Sequence, residues 1–165
     1  MFSIGEKVLH PLHGVGVVET IEEKTILEKI ARFSTISFQG DRLKIMVNLD
    51  QGTNLIRHLV NEDEIPKVIG FLKDCKVNLA VKSSERYNIN LKKIKSGDIY
   101  QVAEVIRDLS DLSKTKKLSP KEAAMLKQTR RLLATEFSSV NGQNPDDIEI
   151  MLENICKDEI VLAAV

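Results

Sequence analysis

With 165 residues, 42% hydrophobic and 29% charged, the chain can build one substantial core or two small ones and has an ordinary soluble composition. Apolar runs such as IVLAAV are far too short to cross a bilayer, and MFSIGEKV lacks the basic-then-apolar layout of a signal peptide, so a cytoplasmic protein is expected. The net charge of zero hides a segregation: 13 Lys+Arg stand against 6 Asp+Glu from Lys82 to Arg131, and one lysine against seven acids from Leu132 onward.

The first sixty residues read as strands. VGVVETI is rich in β-branched residues, and RFSTISF alternates Phe33, Thr35 and Ser37 against Ser34, Ile36 and Phe38. LKIMVNL places Leu43, Ile45 and Val47 on one face and Lys44, Met46 and Asn48 on the other. Glycines punctuate these runs at Gly5, Gly14 and Gly16, and Gly40 with Asp41 in QGDR reads as a hairpin turn. Four or five short strands with tight turns predict a small, strongly bent sheet or open barrel.

Near Val60 to Glu64 the period changes to that of helices. Val68, Ile69 and Leu72 lie at helical spacing, as do Ile99, Val102, Ala103, Ile106 and Leu109, with Asp98 placed as N-cap after Gly97. SPKE combines an N-cap serine (Ser119), proline at N1 (Pro120) and glutamate at N3 (Glu122), a capping box. NPDD, from Asn144 to Asp147, opens a further helix with acids in its first turn.

Little in the chain carries chemistry. His10 and His13 sit in HPLHG, where Pro11 and Gly14 make a turn and no carboxylate or cysteine completes a tetrahedral metal set; His58 is isolated. No dinucleotide, P-loop, zinc-protease or nucleophile-elbow motif occurs, and GVG at Gly14 to Gly16 lacks the third glycine and helix of a phosphate loop. Paired acids at Asp63 and Glu64, and at Asp146 and Asp147, fall where helix N-termini favour negative charge. Cys75 and Cys156 have no CxxC spacing and are expected to be buried, reduced thiols. A non-enzyme is expected, with no metal, cofactor or small-molecule substrate.

The basic residues leave two readings open. On the helix begun at Ser119, with about 100° per residue from Met125, the positions Thr129, Leu132, Leu133, Glu136 and Phe137 span about −20° to 120°. Lys127, Arg130 and Arg131 then fall at about 140° to 240°, opposite that mostly apolar face. Such a stripe suits phosphate contacts, or it is a solvated face that the acidic C-terminal helix neutralises. Arg107, between Glu104 and Asp111, reads as a surface pairing residue.

The opening GEKVLHPLHGVGVVETIEEK resembles the start of the CarD/CdnL family of bacterial transcription regulators, whose domain is shared with transcription-repair coupling factor. RYNINLKKIKSGDIYQVAEVIRDL followed by LSPKEAAMLKQTRRLLATE is similar to the family's helical domain. The resemblance covers nearly the whole chain and implies an α+β fold in two domains. Residues 1–60 would form a Tudor-like, SH3-like small β-barrel that docks on the RNA polymerase β subunit. Residues 61–165 would form a compact all-α domain of about five helices that meets promoter DNA at the edge of the melting bubble. The protein would be cytoplasmic, associated with the nucleoid through the polymerase, with no membrane partner.

Carried over residue by residue, the family's polymerase-facing basic position matches Lys24, and a second such position falls at Met46, with Lys44 beside it. Arg86 and Tyr87 match the family's RY pair, and Arg130 its basic position on the capped helix. Ser84, Lys92, Lys93, Lys127 and Arg131 complete the implied DNA surface, whose contacts would be weak and largely to phosphates. Many members carry a tryptophan wedge where this chain has Ser83, and a basic residue where it has Glu85. These two departures also allow an adaptor that binds the polymerase and engages another protein instead of DNA.

Overall fold

Alternating apolar and polar residues build a five-stranded antiparallel sheet in order β4-β3-β2-β1-β5. The strands are β1 (Lys7–His10), β2 (Gly14–Ile26), β3 (Lys29–Phe38), β4 (Leu43–Asn48) and the short β5 (Arg57–His58). The computed structural model describes residues 1–38, 42–51, 56–74 and 82–157. The chain divides into two compact units, Met1–Leu59 and Val60–Val165.

In the first unit, Val8, Val18, Ile36, Phe38, Val47 and Ile56 form the core, as the period-2 alternation requires. Two glycines of the HPLHGVG stretch have distinct duties. Gly14 turns with φ +78°, and a Cβ on Gly16 would lie 2.6 Å from Ile36 Cγ2 and 2.8 Å from Phe38 Cε1. Close packing accounts for Gly16. The register of β2 on β3 shifts between Val18 and Thr20, a bulge that leaves Glu19 on the outer face beside Lys44.

The β2–β3 turn was not legible from its residue types. Leu27 and Glu28, with φ 49° and 63°, join the paired Ile26 and Lys29 in a two-residue turn of type I′ character. No glycine or asparagine marks it, so nothing in the usual turn chemistry signals it. The turn expected at Gly40 and Asp41 lies outside the described residues.

Five α-helices are present among the described residues of the second unit, preceded by a 3-10 turn at Glu62–Glu64. They are α1 (Ile65–Lys73), α2 (Ser83–Lys95), α3 (Ile99–Thr115), α4 (Pro120–Asn141) and α5 (Pro145–Lys157). Asp98 caps α3 by accepting from the Tyr100 and Gln101 amides, and Ser119 and Glu122 form the expected capping box on α4. Gly142, in the left-handed region at φ 73°, ends α4, and Asn144 accepts from the Asp146 amide to start α5. The core gathers Val68, Leu72, Ile106, Leu109, Leu133, Phe137 and Leu152, each essentially inaccessible to water. Among the described residues, no helix is long and apolar enough to cross a membrane.

One expectation about a charged residue needs correction. Arg107 is buried, not a surface residue: it pairs with Asp108 at 3.0 Å and lies 4.7 Å over the Phe71 ring, between α3 and α1. Glu64 stands at the N-terminus of α1, where the helix dipole favours its charge as expected, but its side chain makes no capping bond. It accepts instead from the Tyr100 hydroxyl and pairs with Lys67 at 3.0 Å. Cys156 is buried and free, and burial pushes its thiol pKa up; Cys75 lies outside the described residues.

His10 is a turn residue. Its Nδ1 accepts from the Leu12 amide at 3.2 Å, and its ring packs against His13 and Phe38. Burial, aided by the nearby His13, lowers its pKa from 6.5 to about 4. Between those values the unfolded chain binds a proton that the folded one refuses, so stability falls as pH drops from 6.5 toward 4. Replacing His10→Asn, which keeps an acceptor for the Leu12 amide, should flatten this fall by about 2 kcal/mol. Urea unfolding of both proteins at pH 7 and 4.5 measures the difference; equal slopes with pH would contradict it.

Candidate functional site

On the β unit, the register places Lys24, Ile26, Lys44 and Met46 on the sheet face opposite the core. Lys24 Nζ reaches Met46 Sδ at 3.5 Å and Glu22 at 3.5 Å, so two of the expected polymerase-facing positions touch. Lys44 lies on the same face, held by Glu19 at 2.7 Å.

Beyond the end of β4, β2 and β3 continue as a two-stranded ribbon. Its tip exposes Ile26, Leu27 and Ile30 at 50%, 91% and 71%, so apolar side chains stand in water beside the Lys24 cation. Nothing in the sequence marks this tip, because TILEKI contains no glycine, proline, asparagine or aspartate. Within the described residues β4 pairs with β3 alone, which leaves it at the edge of the sheet.

On the helical unit, the expected DNA-facing residues separate into two groups. Ser83, Ser84, Lys92 and Lys127 are exposed. Arg86, Lys93 and Arg131 are committed within the unit. Arg86 Nε donates to Glu122 Oε1 at 2.6 Å, with the two side chains 21% and 1% exposed. Lys93 meets Glu104 at 3.3 Å, and Arg131 donates to both Asp146 and Glu149 of α5.

Arg130 is half-buried, and its Nε has no hydrogen-bond partner among the described residues. Its charge adds a smaller share to the lowering of the Glu153 pKa that comes mainly from the hydrogen bond with Lys157. The stripe expected along α4 is therefore broken. A helical wheel with one buried face cannot represent α4, because α5 covers a second side. Ala134, at about 180° on the same wheel, is fully buried.

Tyr87 is half-buried against the helical core, and Lys121 Nζ stands 5.9 Å from its ring centroid. Glu122 joins these parts. Its carboxylate accepts from the Ser119 amide and hydroxyl and from Arg86, while its own amide donates to Ser119 Oγ. Burial pushes its pKa up, but the bonds from Arg86 and Ser119 outweigh burial and hold it below 4.5. The capping box was legible in the sequence; the arginine it also serves, 36 residues away, was not.

Among the described residues no group of three or more His, Cys, Asp or Glu side chains is placed to hold a metal ion. The geometry leaves two exposed surfaces, an amphipathic one on the β unit and one on the helical unit that carries Ser83, Ser84, Lys92 and Lys127.

The chain matches two family models, "CarD-like/TRCF RID domain" over residues 2–60 and "CarD, C-terminal domain" over residues 67–153. It is also 30% identical over 143 residues to the putative transcription factor YdeB of Bacillus subtilis (strain 168). That alignment covers 86% of this chain and 94% of the relative.

The stability of this region gives a direct check. Arg86→Ala leaves a buried carboxylate without its cation and should cost about 3 kcal/mol, where loss of a solvated arginine costs about 0.5 kcal/mol or less. Because the Glu122 pKa is depressed, the loss is full above about pH 4.5 and shrinks as Glu122 protonates below it. Urea unfolding at pH 7 and pH 3.5 reads both; a loss independent of pH would break the assignment.

Proposed function

The chain belongs to the CarD-like family, and on that premise we propose a transcription regulator that binds RNA polymerase through its β unit and promoter DNA through its helical unit. The observation that carries the first half is the outer face of β2–β4. A cation (Lys24), a thioether (Met46) and the exposed Ile26 share that face, beside an edge strand able to accept a partner's strand. Polar residues around an apolar centre are the usual layout of a protein interface. The resemblance of this region to the polymerase-docking domain supports the β subunit as the partner.

For the helical unit, Ser83, Ser84, Tyr87, Lys92 and Lys127 remain toward the nucleic acid, with phosphates as the main contacts. The protein would act by touching the open and closed promoter complexes unequally, since a binder shifts an equilibrium only by that difference. It needs no bond-making chemistry.

A second reading has support of its own. Arg86, Lys93 and Arg131 are each occupied inside the unit, and Ser83 and Glu85 replace a wedge and a cation. An adaptor that docks on the polymerase and engages another protein would need none of those DNA contacts.

Two measurements separate the readings. Pull-down by a polymerase β fragment should retain the wild type, and Lys24→Glu should weaken that binding about tenfold. No retention of the wild type would remove the polymerase reading. Ser83 is exposed at the first position of α2, so Ser83→Trp restores a wedge without disturbing the core. In a promoter assay it should lengthen the open-complex lifetime several-fold, since an inserted side chain can stabilise an unstacked step by a few kcal/mol. An unchanged lifetime would favour the adaptor.

A further inference from the structure

We infer that Lys121 makes a phosphate contact on the helical unit and that Arg86, its neighbour in space, is a positioning residue. This rests on the DNA-contacting reading of that unit and assigns the roles within it.

Three observations carry the inference. The Arg86 guanidinium is bonded to a carboxylate whose side chain is 1% exposed. Swinging Arg86 out to a phosphate would strand that charge in the interior, which costs more than a solvated phosphate contact returns. Lys121, the residue next to Glu122, is exposed, and among the described residues its ammonium meets no carboxylate. It also lies over the Tyr87 ring, so it is already on the side of α2 that carries the RY pair.

Lys82 extends the same cationic edge. It is exposed and stands one turn before Arg86, whose amide donates to the Lys82 carbonyl at 2.9 Å. Arg86 therefore holds α2 against α4, while Lys121 and Lys82 are the cations that can reach outward.

The salt dependence of DNA binding separates contact from positioning. Affinity of the full chain for a fluorescein-labelled duplex is measured by anisotropy over a range of salt concentrations. Lys121→Gln should reduce the log–log slope by about 0.9, one phosphate contact, with an unchanged thermal midpoint. The double variant Arg86→Gln with Glu122→Gln keeps a neutral hydrogen-bonded pair in place of the ion pair. It should weaken binding several-fold, because α2 is less firmly held, yet keep the wild-type slope. Circular dichroism establishes that both variants remain folded. An unchanged slope in Lys121→Gln, or a slope reduced by about one contact in the double variant, overturns the assignment. A wild type without salt-dependent binding removes the DNA reading itself, and the inference with it.

Discussion

A carboxylate sealed from water must be fully satisfied, and Glu122 is the point on which the helical unit depends in this way. Its oxygens receive the Ser119 amide, the Ser119 hydroxyl and Arg86. One buried charge therefore starts α4 and fastens α2 to it. The need for such a fastening is visible in α2 itself: of its thirteen residues only Asn90 and Ile94 are buried. Tyr87 and Leu91 pack against the core only in part, so apolar burial, which contributes roughly 1.5–3 kcal/mol per fully buried large side chain, holds this helix weakly. Arg86 to Glu122 and Lys93 to Glu104 supply the attachment that the apolar residues lack. The basic charge of this segment is divided between holding the helix, through Arg86 and Lys93, and facing water, at Lys82, Lys92 and Lys95.

The other end of α4 repeats the device. Glu136, fully buried on the face that otherwise carries Met125, Leu133 and Phe137, accepts from the Val60 amide at 2.9 Å. Two glutamates on one core face thus anchor different segments, α2 through a side chain and residue 60 through the backbone. Outside them, Arg131 ties α4 to the acidic first turns of α5. The opposition of a basic middle and an acidic end in the sequence is partly an internal contact, which is why the net charge of a segment overstates the charge it presents to solvent.

What could be read beforehand follows from how local each signal is. Strand alternation in β3 and β4, the Asp98 cap and the Ser119–Glu122 box are set by neighbours within four residues, and each appears in the structure. The Leu27–Glu28 turn is local too, but it uses residues that pay the left-handed backbone cost without advertising it. Arg86 and Arg107 were not legible for a different reason. A sequence gives the sign of a charge, whereas its partner is chosen by tertiary packing. The pairing of Arg131 with the acidic α5, by contrast, is one of the two readings that the sequence left open. Placing Lys24 against Met46 required the register across three strands, which no single strand encodes.

Under the proposed role, a helical unit whose Arg86 is turned inward need not be a poor one. Docking the β unit on the polymerase would make the DNA contact intramolecular, at effective concentrations on the order of millimolar for a short connection. A surface too weak to bind DNA alone can then be occupied, and its weakness keeps the free protein from being sequestered on bulk DNA, where phosphate contacts are the main attraction. Only contacts that differ between promoter states bias the equilibrium. A phosphate grip present in both states contributes residence, while a wedge present in one contributes bias. With Ser83 where the resemblance implies a wedge and Arg86 turned inward, such a regulator would retain the first property more fully than the second.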